Sequence, residues 1–229
     1  MAFSNFYEDH ILPHVINKVC SAGQIMKLRS QIVPLASGTV LEVGMGSAIN
    51  LGFYDPDKVD LIYGLEPSAG MRRKAQDNLS KSPIHVKWLD LPGEQIPLAD
   101  ESVDTVLLTF TLCTIPDWHT ALLQMKRVLR PDGRLLFLEH GESPDQNVCK
   151  WQHRITPGWK KFAGGCHLNR QIADLLEQTG FHIDTLNNTY VPGTPRIAGY
   201  IFKGVARKKS ATDMEALTDP EPQLNRSLS

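Results

Sequence analysis

The residues best suited to do chemistry lie in a short glycine-rich stretch that follows an apolar run. The run over residues 40–43, which contains Glu42, is followed by Gly44 and Gly46 with one residue between them. Because glycine has no Cβ, such a loop can turn tightly and let a ligand approach its backbone. The pattern therefore predicts a β-strand that turns into a loop for a nucleotide-like cofactor.

A second acid, Glu66, follows the next apolar run, about 20 residues beyond the glycines. In dinucleotide-binding folds an acid here accepts hydrogen bonds from ribose hydroxyls, so the cofactor is predicted to contain adenosine. NAD and S-adenosylmethionine both satisfy that requirement. Position 49 lacks the third glycine of a dinucleotide loop, and the charge of Glu42 would repel a pyrophosphate. Both differences favour S-adenosylmethionine, and Glu42 is expected either to orient the loop or to bind the ammonium of the methionyl group.

Apolar runs alternate with helical patterns along most of the chain, and these elements must position the loop and Glu66. The predicted strands cover residues 40–43, 61–65, 84–88, 103–109, 134–139, 181–186 and 197–205. The alternation predicts an α/β fold, a Rossmann-like, doubly wound, mostly parallel seven-stranded sheet with helices on both faces. In such a sheet the ligand binds beyond the carboxyl ends of the strands, where residues 90–94, 109–113 and 139–140 would join the glycine loop.

Polar residues at the ends of the helical patterns predict where helices begin. The predicted helices cover residues 69–79, 118–129 and 169–179. Ser68 and Asp117 are expected to cap the first two, and Asn169 either caps the third or contacts a substrate. Residues 131–133, Pro-Asp-Gly, are predicted to form a turn.

Overall composition narrows the class of protein. The chain has 229 residues, 41% of them hydrophobic, and a formal net charge of −1. One domain with a substantial core is expected, and no global basic field points to nucleic acid. The first residues lack the pattern of a secretory signal, and no apolar run reaches the roughly 20 residues that span a bilayer. A cytoplasmic protein is expected, with at most peripheral membrane contact.

The cysteines and histidines are widely spaced along the sequence. The four cysteines form no C-x-x-C pair, and the eight histidines form no H-E-x-x-H pattern. This spacing predicts reduced thiols and no metal site.

Three regions are predicted along the chain. Residues 1–37 form an N-terminal helical cap, residues 38–207 form the cofactor-binding domain, and the polar residues 208–229 form a disordered tail. Within the domain, an insert at about residues 141–170 is predicted to act as a lid. Its aromatic residues alternate with basic ones and are expected to pack over the ligand pocket, with contact to lipid headgroups or RNA as the alternative.

Several motifs together resemble the class I S-adenosylmethionine-dependent methyltransferases over about residues 38–140. These motifs are Leu41-Glu42-Val43-Gly44-Met45-Gly46, Gly64-Leu65-Glu66-Pro67-Ser68, Gly93-Glu94-Gln95-Ile96-Pro97-Leu98, Ser102-Val103-Asp104 and Val128-Leu129-Arg130-Pro131-Asp132-Gly133. A narrower resemblance, over about residues 38–204, is to the methyltransferase-like thiol S-methyltransferases of animals and their bacterial relatives. It rests on Phe53-Tyr54-Asp55-Pro56, Thr111-Leu112-Cys113, Glu139-His140, Trp151-Gln152, Pro157-x-Trp159, Gly164-Gly165-Cys166-x-Leu168-x-Arg170 and Gly199-Tyr200.

The resemblance implies a methyltransferase that uses S-adenosylmethionine and a small-molecule acceptor, with a thiol or hydrogen sulfide favoured. The implied cofactor-binding residues are Glu42, Gly44, Met45, Gly46, Asn50, Glu66, Pro67, Met71, Gly93, Glu94, Thr109, Phe110 and Thr111. Pro92 stands where many members carry an acid for the adenine amine, so Gly93 and Glu94 are the expected substitutes, with Asp90 a weaker one. His140, just beyond the fifth strand, is the expected general base. The implied substrate-binding residues are Cys113, Trp151, Cys166, Asn169 and Arg170.

Other functions stay open at this point. The chain would also suit a phospholipid (phosphatidylethanolamine) N-methyltransferase, a quinone-like C-methyltransferase or a non-catalytic cofactor-binding regulator. An NAD oxidoreductase is disfavoured, because the loop lacks the third glycine and no dehydrogenase acid/base pair is evident.

Overall fold

A computed structural model describes residues 22–210 of the chain, together with His14 and Asp213. The strands are β1 (Gly38–Val43), β2 (Val59–Leu65), β3 (Val86–Leu89), β4 (Val103–Thr109), β5 (Leu129–His140), β6 (Phe181–Tyr190) and β7 (Tyr200–Lys208). The α-helices within the described residues are α1 (Gly23–Ile32), α2 (Ala69–Leu79), α3 (Trp118–Val128), α4 (Gln146–Phe162) and α5 (Ile172–Gln178). Short 3-10 turns cover Val33–Leu35 and Ile49–Gly52.

All seven strands form one sheet, in the order β3-β2-β1-β4-β5-β7-β6. Strands β1 to β5 pair in parallel, whereas β7 lies antiparallel to both β5 and β6. The predicted fold class, a mostly parallel seven-stranded sheet, is confirmed. The strand order reverses beside β1, and in sheets of this type ligands bind at that switch point.

Two hydrophobic cores cover the sheet, one on each face. Leu41 and Val43 of β1 pack in the core that contains residues of α3 and α5. Val40, which alternates with them, packs in the core that contains residues of α1 and α2. Because successive residues of a strand point to opposite faces, helices on both faces follow directly from this alternation.

The predicted helix starts agree with the structure in two of three cases. The Ser68 hydroxyl accepts a hydrogen bond from Met71 N at 3.2 Å, and Asp117 Oδ1 accepts one from Thr120 N at 3.0 Å. The prediction for Asn169 as a cap is wrong. Helix α5 begins at Ile172 after an uncapped Gln171, because the Asn169 amide instead hydrogen bonds His153 Nδ1 at 2.9 Å.

The predicted turn over residues 131–133 is also wrong, because those residues belong to β5. The pairing with β4 jumps there from Val103↔Leu129 to Thr105↔Arg134, so the extra residues form a bulge. A Cβ added to Gly133 would lie 2.9 Å from Asp104 O, so glycine permits a close approach of two strands.

The insert between β5 and α5 is largely one long helix, α4. Asp145 caps it by accepting hydrogen bonds from Asn147 N and Val148 N. The buried Gln152 amide accepts from Ser143 N and donates to Gly141 O and Ile197 O, which fixes the helix to the end of the sheet. No helix within residues 22–210 has both the length and the apolar character needed to cross a bilayer.

The predicted terminal regions fall largely outside the described residues. Helix α1 accounts for part of the predicted N-terminal cap, and residues 1–21 lie outside the described residues, apart from His14. Strand β7 extends to Lys208, one residue beyond the predicted domain end. Of the predicted tail, residues 208–229, the structure describes only residues 208–210 and Asp213. Lys208 ends β7, and Asp213 accepts a hydrogen bond from Arg207, while disorder in the rest of the tail stays a prediction.

Candidate functional site

The loop after β1 takes a conformation that depends on glycine. Gly44 and Gly46 have φ angles of +69° and +59°, in the left-handed region that L side chains rarely adopt. A Cβ added at Gly44 would lie 2.2 Å from Thr111 Oγ1, so glycine is also needed for the close approach of the loop after β4. The amides of Gly44 and Met45 donate to Leu65 O at 2.8 and 3.1 Å, which ties this loop to the end of β2.

Glu66 joins the glycine loop to the start of α2. Its Oε2 accepts from Gly46 N at 2.9 Å, and its Oε1 accepts from Ser68 N at 2.8 Å. The residue is 8% exposed, and burial raises the pKa of its carboxyl above the ordinary value. A carboxylate with remaining lone pairs beside a glycine loop suits a ribose diol, so this region fits an adenosine-containing cofactor.

Glu42 belongs to a buried polar network beneath the loop. Its two carboxylate oxygens accept from Asn50 Nδ2 and from Tyr54 OH, both at 2.8 Å. Arg29 donates to Asn50 Oδ1 at 2.7 Å and to Thr109 Oγ1 at 2.9 Å. Burial raises the pKa of Glu42 to about 7. Because Glu42 is fully buried and its oxygens accept from neighbours beneath the loop, its surroundings fit loop orientation better than contact with a ligand, and its role stays a prediction.

Arg29 and Tyr54 did not emerge from the sequence as site residues. Arg29 lies on α1 in a stretch where a basic residue normally faces solvent, yet it is 4% exposed and its partners are distant in sequence. No spacing in the sequence signals that arrangement. Tyr54 belongs to the Phe53-Tyr54-Asp55-Pro56 motif, so the motif gave a signal but not the role.

The other predicted cofactor residues surround the same edge of the sheet. Pro67 is exposed beside Glu66, and Met71 Cε would be 3.1 Å from a Cβ added at Gly46. The Glu94 carboxylate accepts from Asp117 N at 3.2 Å, at the start of α3. Asp90, the weaker predicted substitute, pairs with Arg72.

Residues 109–111 link the glycine loop to the middle of the sheet. Phe110 has a φ of +57°, and Thr111 Oγ1 lies 3.5 Å from Gly44 O. The buried Glu139 carboxylate accepts from Thr111 N at 2.8 Å and Leu112 N at 3.1 Å through one oxygen. Burial raises the pKa of Glu139 to about 7.

Cys113, His140 and Cys166 form a compact group, hereafter the Cys–His cluster. Their Sγ, ring nitrogen and Sγ atoms lie within 4.8 Å of one another, and His140 Nε2 is 3.0 Å from Cys166 Sγ. Cys113 follows β4, His140 ends β5 and Cys166 follows α4, so three separate elements contribute one side chain each. All three are buried, and the structure brings together three residues that the sequence placed in the site independently.

The electrostatics of the Cys–His cluster favour an anionic sulfur. Hydrogen bonds from Cys113, His140 and Trp159 hold the pKa of Cys166 below its ordinary value, although burial acts in the opposite direction. Burial alone would lower the pKa of His140, but its hydrogen bond to Cys166 and the negative charges of Cys166 and Glu139 together outweigh burial and raise that pKa. Trp159 was not among the predicted site residues by itself, although it stands in the Pro157-x-Trp159 motif.

Arg170 braces the loop that carries Cys113. Its guanidinium donates to Leu112 O and to Ile115 O, the latter at 2.7 Å. The guanidinium charge also interacts with Cys113 and Cys166. The side chain is buried, so a fixed positive charge lies beside the two sulfur atoms.

The aromatic residues of α4 differ in orientation. Trp159 reaches Cys166, as the predicted lid requires, whereas Trp151 and Phe162 are 54% and 71% exposed. The Arg154 guanidinium lies 5.5 Å from the Trp151 ring centroid. Of these three rings, only Trp159 contacts the Cys–His cluster, and the lid role of the insert stays a prediction. Two predicted substrate-binding residues do not contact the Cys–His cluster. Trp151 lies on the exposed surface of α4, and the Asn169 amide hydrogen bonds His153.

Comparison with known proteins gives consistent matches. Residues 41–137 match the family model described as a methyltransferase domain. The chain is 31% identical over 148 residues to the rat thiol S-methyltransferase TMT1B, covering 62% of this chain and 59% of that one. It is 30% identical over 182 residues to the human thiol S-methyltransferase TMT1A, covering 74% and 72%. The match thus spans less than two thirds of the length of the rat relative.

A solved structure gives the same result at the level of the fold. The crystal structure of 1,6-didemethyltoxoflavin-N1-methyltransferase from Burkholderia thailandensis contains bound S-adenosylhomocysteine. It superposes with a TM-score of 0.64 at 17% identity, covering 91% of this chain and 86% of that one.

Proposed function

This chain belongs to the class I S-adenosylmethionine-dependent methyltransferases, and from that premise we propose that it methylates a small thiol or hydrogen sulfide. The observation that carries the choice of acceptor is the Cys–His cluster with Arg170 beside it. The thiol S-methyltransferases among its relatives support the same acceptor class. We include in the proposal the cytoplasmic location expected from the sequence.

The cofactor would lie along the glycine loop. Gly44 and Gly46 offer backbone without side chains, and the Glu66 carboxylate would accept the ribose hydroxyls. The buried network around Glu42 would hold the loop in shape. S-adenosylmethionine, when bound, supplies an electrophilic methyl group on a sulfonium. The chain's own task is then to position a nucleophile, and orientation alone can account for about 7–11 kcal/mol of barrier lowering.

The acceptor would enter beside the Cys–His cluster. Thr111 contacts the glycine loop, and Cys113 follows two residues later, so the cluster adjoins the cofactor region. A free thiol has a pKa of about 8.5 and reacts as the thiolate. The fixed positive charge of Arg170 favours that anion and disfavours a cationic amine.

His140 enters the proposal as a positioning residue. The sequence suggested a general base, but its Nε2 is held 3.0 Å from Cys166 Sγ. It would therefore act by fixing Cys166. The thiol proton leaves to solvent, the sulfur lone pair forms the new S–C bond, and the electron pair of the broken C–S bond stays with the departing sulfur.

N-methylation of a phospholipid amine is the second candidate. The exposed Trp151 and Phe162, with Lys160 and Lys161 on the same helix, would suit a lipid surface. Such a surface would determine where the protein docks, but it does not determine which atom accepts the methyl group. The charge beside the cluster favours the thiol.

The test is product analysis with labelled S-adenosylmethionine. Sulfide and 2-mercaptoethanol, vesicles containing phosphatidylethanolamine, and a quinone precursor are offered separately, and products are identified by mass spectrometry. We expect methyl thioethers or methanethiol only. Cys149→Ser serves as a matched control that keeps full activity, because Cys149 lies outside the cluster. Methylated lipid or quinone without a methylated thiol would overturn the proposal, and no product from any class would point to a regulatory cofactor-binding protein.

A further inference from the structure

The Cys–His cluster contains three donor atoms of the kind that soft metal ions select. Two cysteine sulfurs and one imidazole nitrogen converge within 4.8 Å of one another from three separate elements. Such a separation is close to that of neighbouring ligands around a tetrahedral ion, with metal–sulfur bonds of about 2.3 Å and metal–nitrogen bonds of about 2.0 Å.

We propose that Cys113, His140 and Cys166 bind one Zn²⁺ ion and leave its fourth position open to the thiol acceptor. The proposal rests on the proposed function and deepens it, because it names what would hold the acceptor sulfur. It departs from the sequence-based expectation of no metal, which rested on the wide spacing of these residues.

The donor set selects zinc over the hard divalent ions. Thiolate and imidazole suit Zn²⁺, whereas Mg²⁺ and Ca²⁺ require oxygen ligands. Three protein ligands with one open position is the arrangement of catalytic zinc sites, including those with two cysteines and one histidine. Two thiolates also neutralise the ion, which suits a site as buried as this one.

The surrounding charges are balanced as well. Arg170 and Glu139 contribute one potential positive and one potential negative charge, and both interact with the cluster. His140 Nδ1 has no hydrogen-bond partner among the described residues. A neutral ring that carries its proton on Nδ1 leaves the Nε2 lone pair for the metal.

An open fourth position would serve the acceptor directly. A thiol that binds there loses its proton to solvent, because zinc stabilises the thiolate. The thiolate sulfur would then donate a lone pair to the methyl carbon while the methyl–sulfonium bond of S-adenosylmethionine breaks. The electron pair of that bond stays on the cofactor sulfur, giving S-adenosylhomocysteine, and the methylated product leaves the ion as a neutral molecule. The ion keeps its charge throughout.

A second group of potential donors provides the comparison. Glu142, Cys149 and His153 also lie within 4.8 Å of one another, but at a more exposed position. His153 bonds Glu142 through Nε2 and Asn169 through Nδ1, so both ring nitrogens already have partners. Cys149→Ser is therefore the matched control for substitution of a cluster cysteine.

The experiment measures zinc in the full-length protein purified without chelators. Mass spectrometry should find about one zinc per chain, falling below about one tenth in Cys113→Ser and in Cys166→Ser. Cys149→Ser should keep its zinc. Calorimetry with S-adenosylhomocysteine checks that each variant is folded, since its site lies on the glycine loop. The proposal would be overturned if wild-type protein from cells grown with zinc contained none, or if both cluster variants retained their zinc.

Cobalt substitution gives a measurement that does not require the variants to fold. Wild-type protein loaded with Co²⁺ should show a near-ultraviolet thiolate-to-cobalt charge-transfer band, and sulfide should shift its visible bands in the absence of cofactor. The absence of that thiolate band would contradict the site, and bands unchanged by sulfide would contradict the open position.

Failure of this proposal is distinguishable from failure of the proposed function. If zinc-free protein methylates thiols at the wild-type rate, the metal proposal falls and the proposed function stands. If zinc-loaded protein binds S-adenosylhomocysteine but methylates no thiol, the proposed function falls, and unshifted cobalt bands would reduce the metal to a structural ion.

Discussion

At the glycine-loop end of the site the key residues lie close together in sequence, whereas at the Cys–His cluster they come from three distant parts of the chain. Gly44, Gly46 and Glu66 belong to two neighbouring strands and their loops. Cys113 follows β4, His140 ends β5 and Cys166 follows α4. The first arrangement is imposed by backbone geometry and leaves a local signature. The second is imposed by the fold as a whole.

This difference indicates how the two ends can vary. The glycine-loop end depends on positive φ angles and on backbone amides that donate to fixed acceptors, so few substitutions are compatible with it. The Cys–His cluster depends on three side chains, carried by the loop after β4, by the last residue of β5 and by the segment after α4, and their identities can change without altering the sheet. Substitutions at one end should therefore leave the other largely unaffected. Of the four predictions that follow, those for Glu66 and Arg170 test that separation directly, and those for Gly44 and Glu42 test what holds the glycine-loop end in shape.

The largest effect is expected for Gly44→Ala. The substitution combines a strained φ with a Cβ that would meet Thr111 Oγ1 at 2.2 Å, so binding of S-adenosylhomocysteine should weaken by about 100-fold or more. Isothermal calorimetry measures the loss. Gly52→Ala, where a Cβ has open space, should bind normally. Equal affinity of the two variants would show that the loop does not need its observed shape.

Glu66→Ala should weaken S-adenosylhomocysteine binding by about 30-fold. The estimate corresponds to about 2 kcal/mol for hydrogen bonds to a charged group. Asp77→Ala, an exposed acid on α2, is the control. Wild-type affinity in Glu66→Ala would show that Glu66 does not bind the ribose. Altered zinc content in this variant would show that the two ends of the site are not independent.

Arg170→Lys should raise the KM for the thiol by about 10-fold and leave cofactor affinity within about 2-fold. Lysine cannot reproduce the two bonds to Leu112 O and Ile115 O, so the Cys113 loop loses part of its support. Steady-state kinetics with Arg154→Lys as the exposed control measures the difference. An effect on cofactor binding equal to that on the thiol would mean that the two ends move together.

The smallest effect is expected for Glu42→Gln, and it depends on pH. The folded pKa of about 7 lies above the ordinary 4.5, so the folded state binds more protons between these values and wild-type stability falls as pH rises through that window. Between about pH 6 and about pH 7.5, the wild type should lose about 1 kcal/mol relative to Glu42→Gln. Denaturant titration at both pH values measures this, and parallel pH dependences of wild type and variant would show that Glu42 has an ordinary pKa.

The sequence predicted the sheet and the tight glycine loop after β1, because interactions between residues close in sequence determine them. Strand β4 and helix α2 have the predicted bounds, and the caps at Ser68 and Asp117 are present, since apolar periodicity and capping act over a few residues. Asn169 resembled a cap equally well, but a tertiary partner, His153, bonds its amide. The predicted turn at residues 131–133 failed for a similar reason, because pairing with β4 extends the strand through a bulge.

For the Cys–His cluster, the sequence predicted the individual residues but not that they would lie together. Resemblance and topology named Cys113, His140, Cys166 and Arg170, but nothing in their spacing predicted that the first three would meet. Arg29 was missed because its partners are as far away as Thr109 in the sequence. Long-range convergence of this kind depends on how elements pack.

The most direct test of the account offers both acceptor classes to the enzyme in one mixture. Labelled S-adenosylmethionine is added to protein with equal concentrations of a small thiol and of phosphatidylethanolamine in vesicles, and the label is followed into thioether and lipid by mass spectrometry. We predict that the label enters the thioether almost entirely, and that Cys166→Ser removes this product while S-adenosylhomocysteine binding persists. Label found mainly in the methylated lipid, or thioether formed equally well by Cys166→Ser, would contradict the account.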